Sequence, residues 1–242
     1  MTAAVIAGVF LVLTLASVIR TTAGFGFSLV AVPPLTLLLD PVTAVVVAAI
    51  MAAPLSLWIA VKDWRHVHRQ ITAVALGAGL VGVPFGVWLL RMLPARVLSL
   101  VIAVVVLLCT LMVWRRVRVR GGLAAVAWIS VFSGASFAST GIDGPPMVAA
   151  MQSLRLEPRV QRATLGVVFS GTSLASLTGY AVSGRLTADV GWALLAGVPA
   201  LFIGIVVGER IFARFDSEHF RRAVLGLLVV SSVSVIAGVI SG

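Results

Sequence analysis

Two stretches decide how this chain folds: GFGFSLVAVPPLTLLLDP at residues 24–41 and GIDGPPMVAAMQSLRLEP at residues 141–158. They align without a gap after a shift of 117 residues. Each begins with glycine, carries a pair of prolines, and ends with an acidic residue followed by proline. Glycine and proline interrupt helices, whereas an acidic cap before a first-turn proline starts one. Two corresponding interruptions indicate an internal duplication.

The composition around these stretches is that of a membrane protein. Hydrophobic residues make up 60% of the 242 residues and charged residues only 11%, against about 45–50% and about 25% in soluble domains. Disorder is excluded because disordered chains are polar and charged. The single cysteine, Cys109, excludes an internal disulfide and a cysteine metal cluster. We expect the basic residues behind the net charge of +10 to contact lipid headgroups rather than nucleic acid.

Long uncharged runs predict the transmembrane helices. A helix needs about 20 residues to cross the hydrocarbon core, and eight or nine uncharged runs are long enough. The run 144–154 is not, because a helix of that length rises only about 16 Å. A shift of 122 residues also places Gly82-xxx-Gly86 on Gly204-xxx-Gly208, which we interpret as small-residue packing faces within the fold or between protomers.

We therefore predict an all-α polytopic protein with one membrane domain made of two repeats, residues 1–116 and 117–242. Each repeat has one broken, re-entrant helix pair and three long transmembrane helices. In the first repeat these are 1–19, a break at 20–27, a short helix to 39, and spans 41–61, 70–90 and 97–114. In the second they are 121–138, a break at 139–144, a short helix to 154, and spans 158–184, 190–210 and 219–240.

Basic residues decide the orientation of the repeats. If each broken pair makes a single crossing, the loops on the two sides carry 8 and 9 basic residues. If each broken pair enters and returns, the counts become 14 and 3. Cytoplasmic loops carry an excess of Lys and Arg, so the second arrangement is favoured. It predicts inverted repeats in a bacterial inner membrane, with both termini outside.

Interrupted helices at corresponding positions of inverted repeats are typical of secondary transporters. We expect the two breaks to meet near the midplane, because irregular backbone there must line a cavity or be buried in protein. Helix N-termini, hydroxyl groups and glycines at the breaks favour a small anion. The residues expected to bind it are Arg20, Thr21, Thr22, Gly24, Phe25, Gly26, Ser139, Thr140, Gly141, Gly144 and Pro145.

Four charged residues lie near the breaks, and two of them have two interpretations each. Arg20 could supply the counter-charge for an anion or extend to the membrane interface. Asp143 lies inside a break, where a carboxylate is either a proton-coupling or substrate-contacting group or a helix cap. Asp40 and Glu157 are interpreted as helix caps.

Other function classes leave no signature in the sequence. A GxxxxGK[ST] loop is absent, so we expect transport driven by a proton, ion or substrate gradient rather than by ATP. The sequence contains no HExxH motif and no clustered carboxylates, so we do not expect an enzyme. We expect neither a cofactor nor a metal site. A channel or a structural subunit remains an alternative, and a homodimer remains open.

With its two glycine–proline breaks, GFGFSLVAVPPL and GIDGPPMVAAM, each before a long span, the chain resembles the TauE/SafE sulfite exporter family. The resemblance covers nearly the whole chain. It implies transport, with export as the expected direction, of sulfite, organosulfonates or related small anions by alternating access; small carboxylates, other solutes or an anion channel are the alternatives. It assigns Gly24, Gly26, Gly141, Gly144 and Pro145 to a central site.

The sequence departs from the family's glycine-run pattern at Phe27 and Asp143. A negative charge at position 143 would oppose simple anion recognition. We therefore expect Asp143 to couple transport to protonation.

Overall fold

The computed structural model describes residues 2–23, 26–115, 117, 119 and 121–212. Within these ranges the chain is helical and contains no strand, which confirms the all-α prediction. The helices are α1 (Ala3–Ala23), α2 (Phe27–Leu38), α3 (Pro41–Lys62), α4 (Arg69–Met92), α5 (Ala95–Trp114), α6 (Gly122–Thr140), α7 (Gly144–Ser153), α8 (Pro158–Val182) and α9 (Ala188–Phe212), with a 3-10 turn at Trp64–His66. The predicted span 219–240 lies outside the described residues.

Seven of these helices are long and apolar enough to cross a membrane, namely all except α2 and α7. The two exceptions have 12 and 10 residues and rise only about 18 and 15 Å. They are the two short helices predicted after the breaks. Large apolar side chains such as Leu11, Trp128 and Phe202 point outward from the bundle, as expected for a surface that meets lipid.

The breaks are narrower than the sequence predicted. Helix α1 continues to Ala23 and α6 to Thr140, so residues expected in irregular segments lie in the last helical turns. At the two breaks, glycine adopts the left-handed conformation: Gly26 (φ 90°) precedes α2, and Gly141 (φ 77°) ends α6. The hydroxyl groups in the last turns of α6 hydrogen-bond carbonyl oxygens of the same helix, as Thr140 Oγ1 does to Ser136 O at 2.8 Å.

One of the two predicted caps is confirmed. Asp40 precedes α3, and its Oδ1 accepts a hydrogen bond from the backbone N–H of Thr43 at 3.1 Å. Glu157 occupies the same position before α8, but its side chain makes no such bond. Glu157 therefore marks the helix start without capping it, and Pro158, whose φ is already helical, starts α8.

Both glycine pairs pack between helices of this chain. Helix α4 lies against α6 and α9 lies against α1. A Cβ on Gly82 would overlap the carbonyl oxygen of Val131, and one on Gly204 would overlap Cβ of Ser17. These contacts, like that of α3 with α8, join residues 1–116 to residues 117–242. The glycine pairs are thus packing faces within the fold and not surfaces for a second protomer.

We expect Gly82→Ala to destabilise the protein by about 1–3 kcal/mol, because the added methyl group must push α6 away from α4. Thermal unfolding in detergent and the yield of monodisperse protein measure this. Gly77→Ala is the matched control, since a Cβ at position 77 of the same helix meets no atom within 4 Å. Equal stability of the two variants would contradict the packing described here.

Candidate functional site

Arg20 points into the protein from the last turn of α1. Its side chain is 2% exposed. Its Nη2 donates a hydrogen bond to Ser56 Oγ on α3 at 2.6 Å, and its guanidinium lies over the ring of Phe169, 5.4 Å from the centroid. The Nε–H is buried and has no hydrogen-bond partner among the described residues. Arg20 therefore does not extend to the membrane interface but brings a positive charge between α1, α3 and α8.

The position of Phe169 shows how deep this charge lies. Phe169 is close to the middle of α8 (Pro158–Val182), which is one of the membrane-crossing helices. Ser56 lies within α3, another crossing helix. Arg20 is therefore held between two spans, one from each half of the chain, far from the ends of α8.

Asp143 faces the same region from the second break. It occupies the N-cap position of α7, yet its side chain makes no capping hydrogen bond. The residue is 8% exposed, and its carboxylate is close enough to Arg20 for the two charges to interact. The buried thiol of Cys109 on α5 is also within electrostatic range of this carboxylate. Capping therefore does not account for a carboxylate at this position.

The backbone of the second break is satisfied by hydroxyl groups. Ser136 Oγ donates to the carbonyl oxygen of Ile142 at 2.7 Å, and Ser133 Oγ donates to that of Asp143 at 2.8 Å. The hydroxyl of Tyr180 on α8 donates to Ala138 O at 3.0 Å. These bonds supply partners to carbonyl groups at the end of α6 and in the break that follows it.

The second break lies against the first half of the chain. A Cβ on Gly141 would be 3.2 Å from Cγ2 of Val32 on α2 and 3.7 Å from the carbonyl oxygen of Val45 on α3. Gly144 and Pro145, at the start of α7, are buried as well. The glycine at position 141 thus permits both the left-handed turn and a close approach between the second break and the first short helix.

The other predicted site residues differ in whether their side chains have hydrogen-bond partners. Ser139 Oγ donates to Ala135 O and Thr140 Oγ1 to Ser136 O, so both hydroxyl protons are used within α6. Thr21 Oγ1 is buried without a hydrogen-bond partner among the described residues. Gly24 and Phe25 lie outside the described residues, as does the side chain of Thr22.

Sequence reasoning missed the residues that hold Arg20 and the break. Ser56 and Phe169 carry no local signal, because they meet Arg20 only through the packing of α3 on α8. Ser133, Ser136 and Tyr180 left a weaker trace. The serines recur at a three-residue spacing toward the end of α6, and the chain's single tyrosine lies in an apolar span.

The structure also contains a recess that lies apart from Arg20. An apolar recess between α5, α6 and α7 is lined by Val105, Leu108, Phe132 and Pro146 among others, and its lining includes neither Arg20 nor Asp143. Within the part of the chain that the structure describes, no group of three or more His, Cys, Asp or Glu side chains is arranged to hold a metal ion.

A family profile described as Sulfite exporter TauE/SafE matches residues 9–235 of this chain. The chain belongs to the TauE/SafE family. Neither a curated protein nor a solved structure matches it. Membership in a transporter family and seven apolar helices together make this a multi-pass membrane protein of the sulfite exporter type. The resemblance seen in the two glycine–proline stretches is confirmed.

For this TauE/SafE protein we expect Tyr180→Phe to lower stability by about 0.5–1.5 kcal/mol, because it removes a buried interhelical hydrogen bond at the end of α6. Thermal unfolding in detergent measures the change. Thr178→Val is the matched control, since the Thr178 hydroxyl is exposed and bonds only to Leu174 O of its own helix. A Tyr180→Phe protein no less stable than the control would show that the break does not need this bond.

Proposed function

We propose that this protein is a secondary transporter that moves small organosulfur anions, such as sulfite or organosulfonates, across the bacterial inner membrane. The observation that carries the proposal is the buried guanidinium of Arg20 beside the second break. A cation inside a membrane protein is costly, and a charged residue at such a position commonly marks a substrate or ion pathway. Arg20 also interacts electrostatically with Asp143, so the charge that the site offers to an anion would depend on whether Asp143 is protonated.

The binding chemistry suits an oxyanion. A guanidinium offers a planar fork of N–H donors that matches sulfite, sulfonate or carboxylate oxygens. The unpartnered Nε–H of Arg20 adds a donor, and Thr21 contributes a free hydroxyl. The start of α7 at Gly144 supplies backbone N–H groups and the positive end of a helix dipole. We assign the remaining predicted residues, including Thr22, Gly24, Phe25 and Gly26, to the same central site.

We further propose that the two halves are inverted repeats, with both termini outside. Reciprocal packing supports this relation, because α1 packs on α9 as α6 packs on α4, and α3 packs on α8. These are the pairs expected if α1, α3 and α4 correspond to α6, α8 and α9. Alternating access would then exchange equivalent arrangements of the halves around Arg20.

Asp143 couples the anion to a proton in this scheme. When its carboxylate is ionised, it competes with the anion for Arg20; when it is protonated, Arg20 is left with a net positive charge for the anion. Proton and anion therefore favour each other's binding and travel in the same direction. An anion that accumulates in the cytoplasm drives its own export under this arrangement.

Flux measurements in proteoliposomes test the function. We expect saturable movement of sulfite, taurine or sulfoacetate that is faster when the side of origin is acidified. Preference for a short carboxylate would redirect the substrate class, and flux that does not saturate would indicate a channel. If a folded preparation moves none of these anions, the proposed function is wrong.

Arg20→Gln should reduce the transport rate at subsaturating anion by about 100-fold, because it removes a buried charge-assisted partner of the anion. Arg20→Lys should retain part of the activity, since it keeps the charge but loses the planar fork. Arg91→Gln, at the exposed end of α4, is the control. Transport by Arg20→Gln at the rate of this control would exclude Arg20 from binding.

Asp143→Asn should transport the anion without responding to a pH gradient, because the amide can neither bind nor release the coupling proton. Flux at matched anion gradients, with and without an imposed pH difference, measures the response. Asp189→Asn removes an exposed carboxylate from the first turn of α9 and should respond like the wild type. Full pH stimulation of Asp143→Asn would rule out the coupling role.

A further inference from the structure

A second group of charges lies at one end of the contact between α3 and α8. Asp63 follows α3 directly, and its side chain is 8% exposed. Arg159 Nε donates a hydrogen bond to Asp63 Oδ1 at 3.3 Å, and Arg162 Nε lies 4.0 Å from Asp63 Oδ2. Both arginines belong to the first turns of α8. A buried carboxylate of the first half is thus held by two cations of the second half.

This cluster and Arg20 lie along the same contact between α3 and α8. Asp63 comes seven residues after Ser56 on α3, and Arg162 comes seven residues before Phe169 on α8. Seven residues are two helical turns, or about 10 Å. The two helices that hold Arg20 therefore meet again two turns away, toward the same end, through Asp63 and Arg162.

The helices are closed between these two layers. A Cβ on Gly166 would lie 3.0 Å from the backbone nitrogen of Ala60 and 2.9 Å from Cγ2 of Ile59. The hydroxyl of Thr164, also buried, accepts a hydrogen bond from the backbone N–H of His68 at 3.1 Å. At Gly166 the two helices approach too closely for an anion to pass between them, so a route here opens only if α3 and α8 separate.

Arg162 is held loosely compared with Arg159. Its 4.0 Å separation from Asp63 exceeds hydrogen-bond distance, and its Nε is buried with no hydrogen-bond partner in the described part of the chain. Its side chain is 31% exposed, against 60% for Arg159, and its charge reaches Arg20. Arg162, whose Nε–H has no hydrogen-bond partner among the described residues, therefore lies between the exposed end of α8 and the central site.

We propose that Arg159 and Arg162 form an entry site for the transported oxyanion, which opens the α3–α8 contact by displacing Asp63 from Arg162. Asp63 occupies this site when no anion is bound and so keeps the route closed. The inference rests on the proposed transport of sulfite-type anions and adds a second binding site to it. The entry site lies at the end of α3 and α8 that our proposed orientation places in the cytoplasm.

The test compares the KM for sulfite on each membrane face, using vesicles of both orientations and the full-length protein. Asp63→Asn removes the competing charge and should lower the KM on the face served by this route about three- to tenfold. Arg162→Gln removes a ligand of the anion and should raise that KM about tenfold. Asp63→Glu keeps the charge, so its KM should equal that of the wild type. Asp40→Asn is the matched control, because it removes a carboxylate from the opposite end of α3 while asparagine keeps the cap.

The opposite signs separate an entry site from a structural clamp. If Asp63 and Arg162 only held the helices together, both substitutions would open the route and lower the KM on that face. Effects of the same sign, or a KM for Asp63→Asn equal to that of Asp40→Asn, would overturn the inference while leaving transport intact. A wild-type protein that moves no sulfite would instead contradict the proposed function. Thermal unfolding of each variant shows that altered kinetics belong to folded protein.

Discussion

Every carbonyl group released where a helix breaks inside the protein must find a partner within the protein, and the second break depends on this constraint. Water is absent from the hydrocarbon region, and an unsatisfied backbone group there costs several kcal/mol. Ser136 and Ser133 donate to the carbonyls of Ile142 and Asp143, and Tyr180 donates to Ala138 O. The break is therefore a built feature with side chains assigned to it, and those side chains fix α6 and α8 relative to it.

The charges of the interior follow from the same low-dielectric environment. Arg20 is held by a hydroxyl and an aromatic face rather than by a directly bonded carboxylate among the described residues, and Asp143 interacts with it through space. Asp63 and its two arginines form a second layer along α3 and α8. In the transport proposed above, an anion would pass from the arginines of this second layer to Arg20 when α3 and α8 separate.

Much of the fold could be predicted because its signals are local. Glycine and proline place the breaks, Asp40 and Pro41 start α3, and uncharged runs give the long helices. The glycine spacing predicts packing faces, although nothing in it identifies their partners in α6 and α1. The predicted end of α6 is two residues short, because the helix continues to Thr140 and ends where Gly141 takes the left-handed conformation. Of the candidate site, Arg20 and Asp143 stood out as charges in apolar surroundings.

The sequence by itself determined that this chain is helical, belongs in a membrane and breaks its helices at two corresponding places, since these properties depend on composition and on backbone preferences of neighbouring residues. Only the tertiary structure decided that Arg20 turns inward to Ser56 and Phe169, that Asp143 does not cap α7, and that Asp63 meets Arg162. Each of these contacts joins residues far apart in the chain. They exist because close packing of α3 on α8 brings them together, and no local pattern encodes that packing.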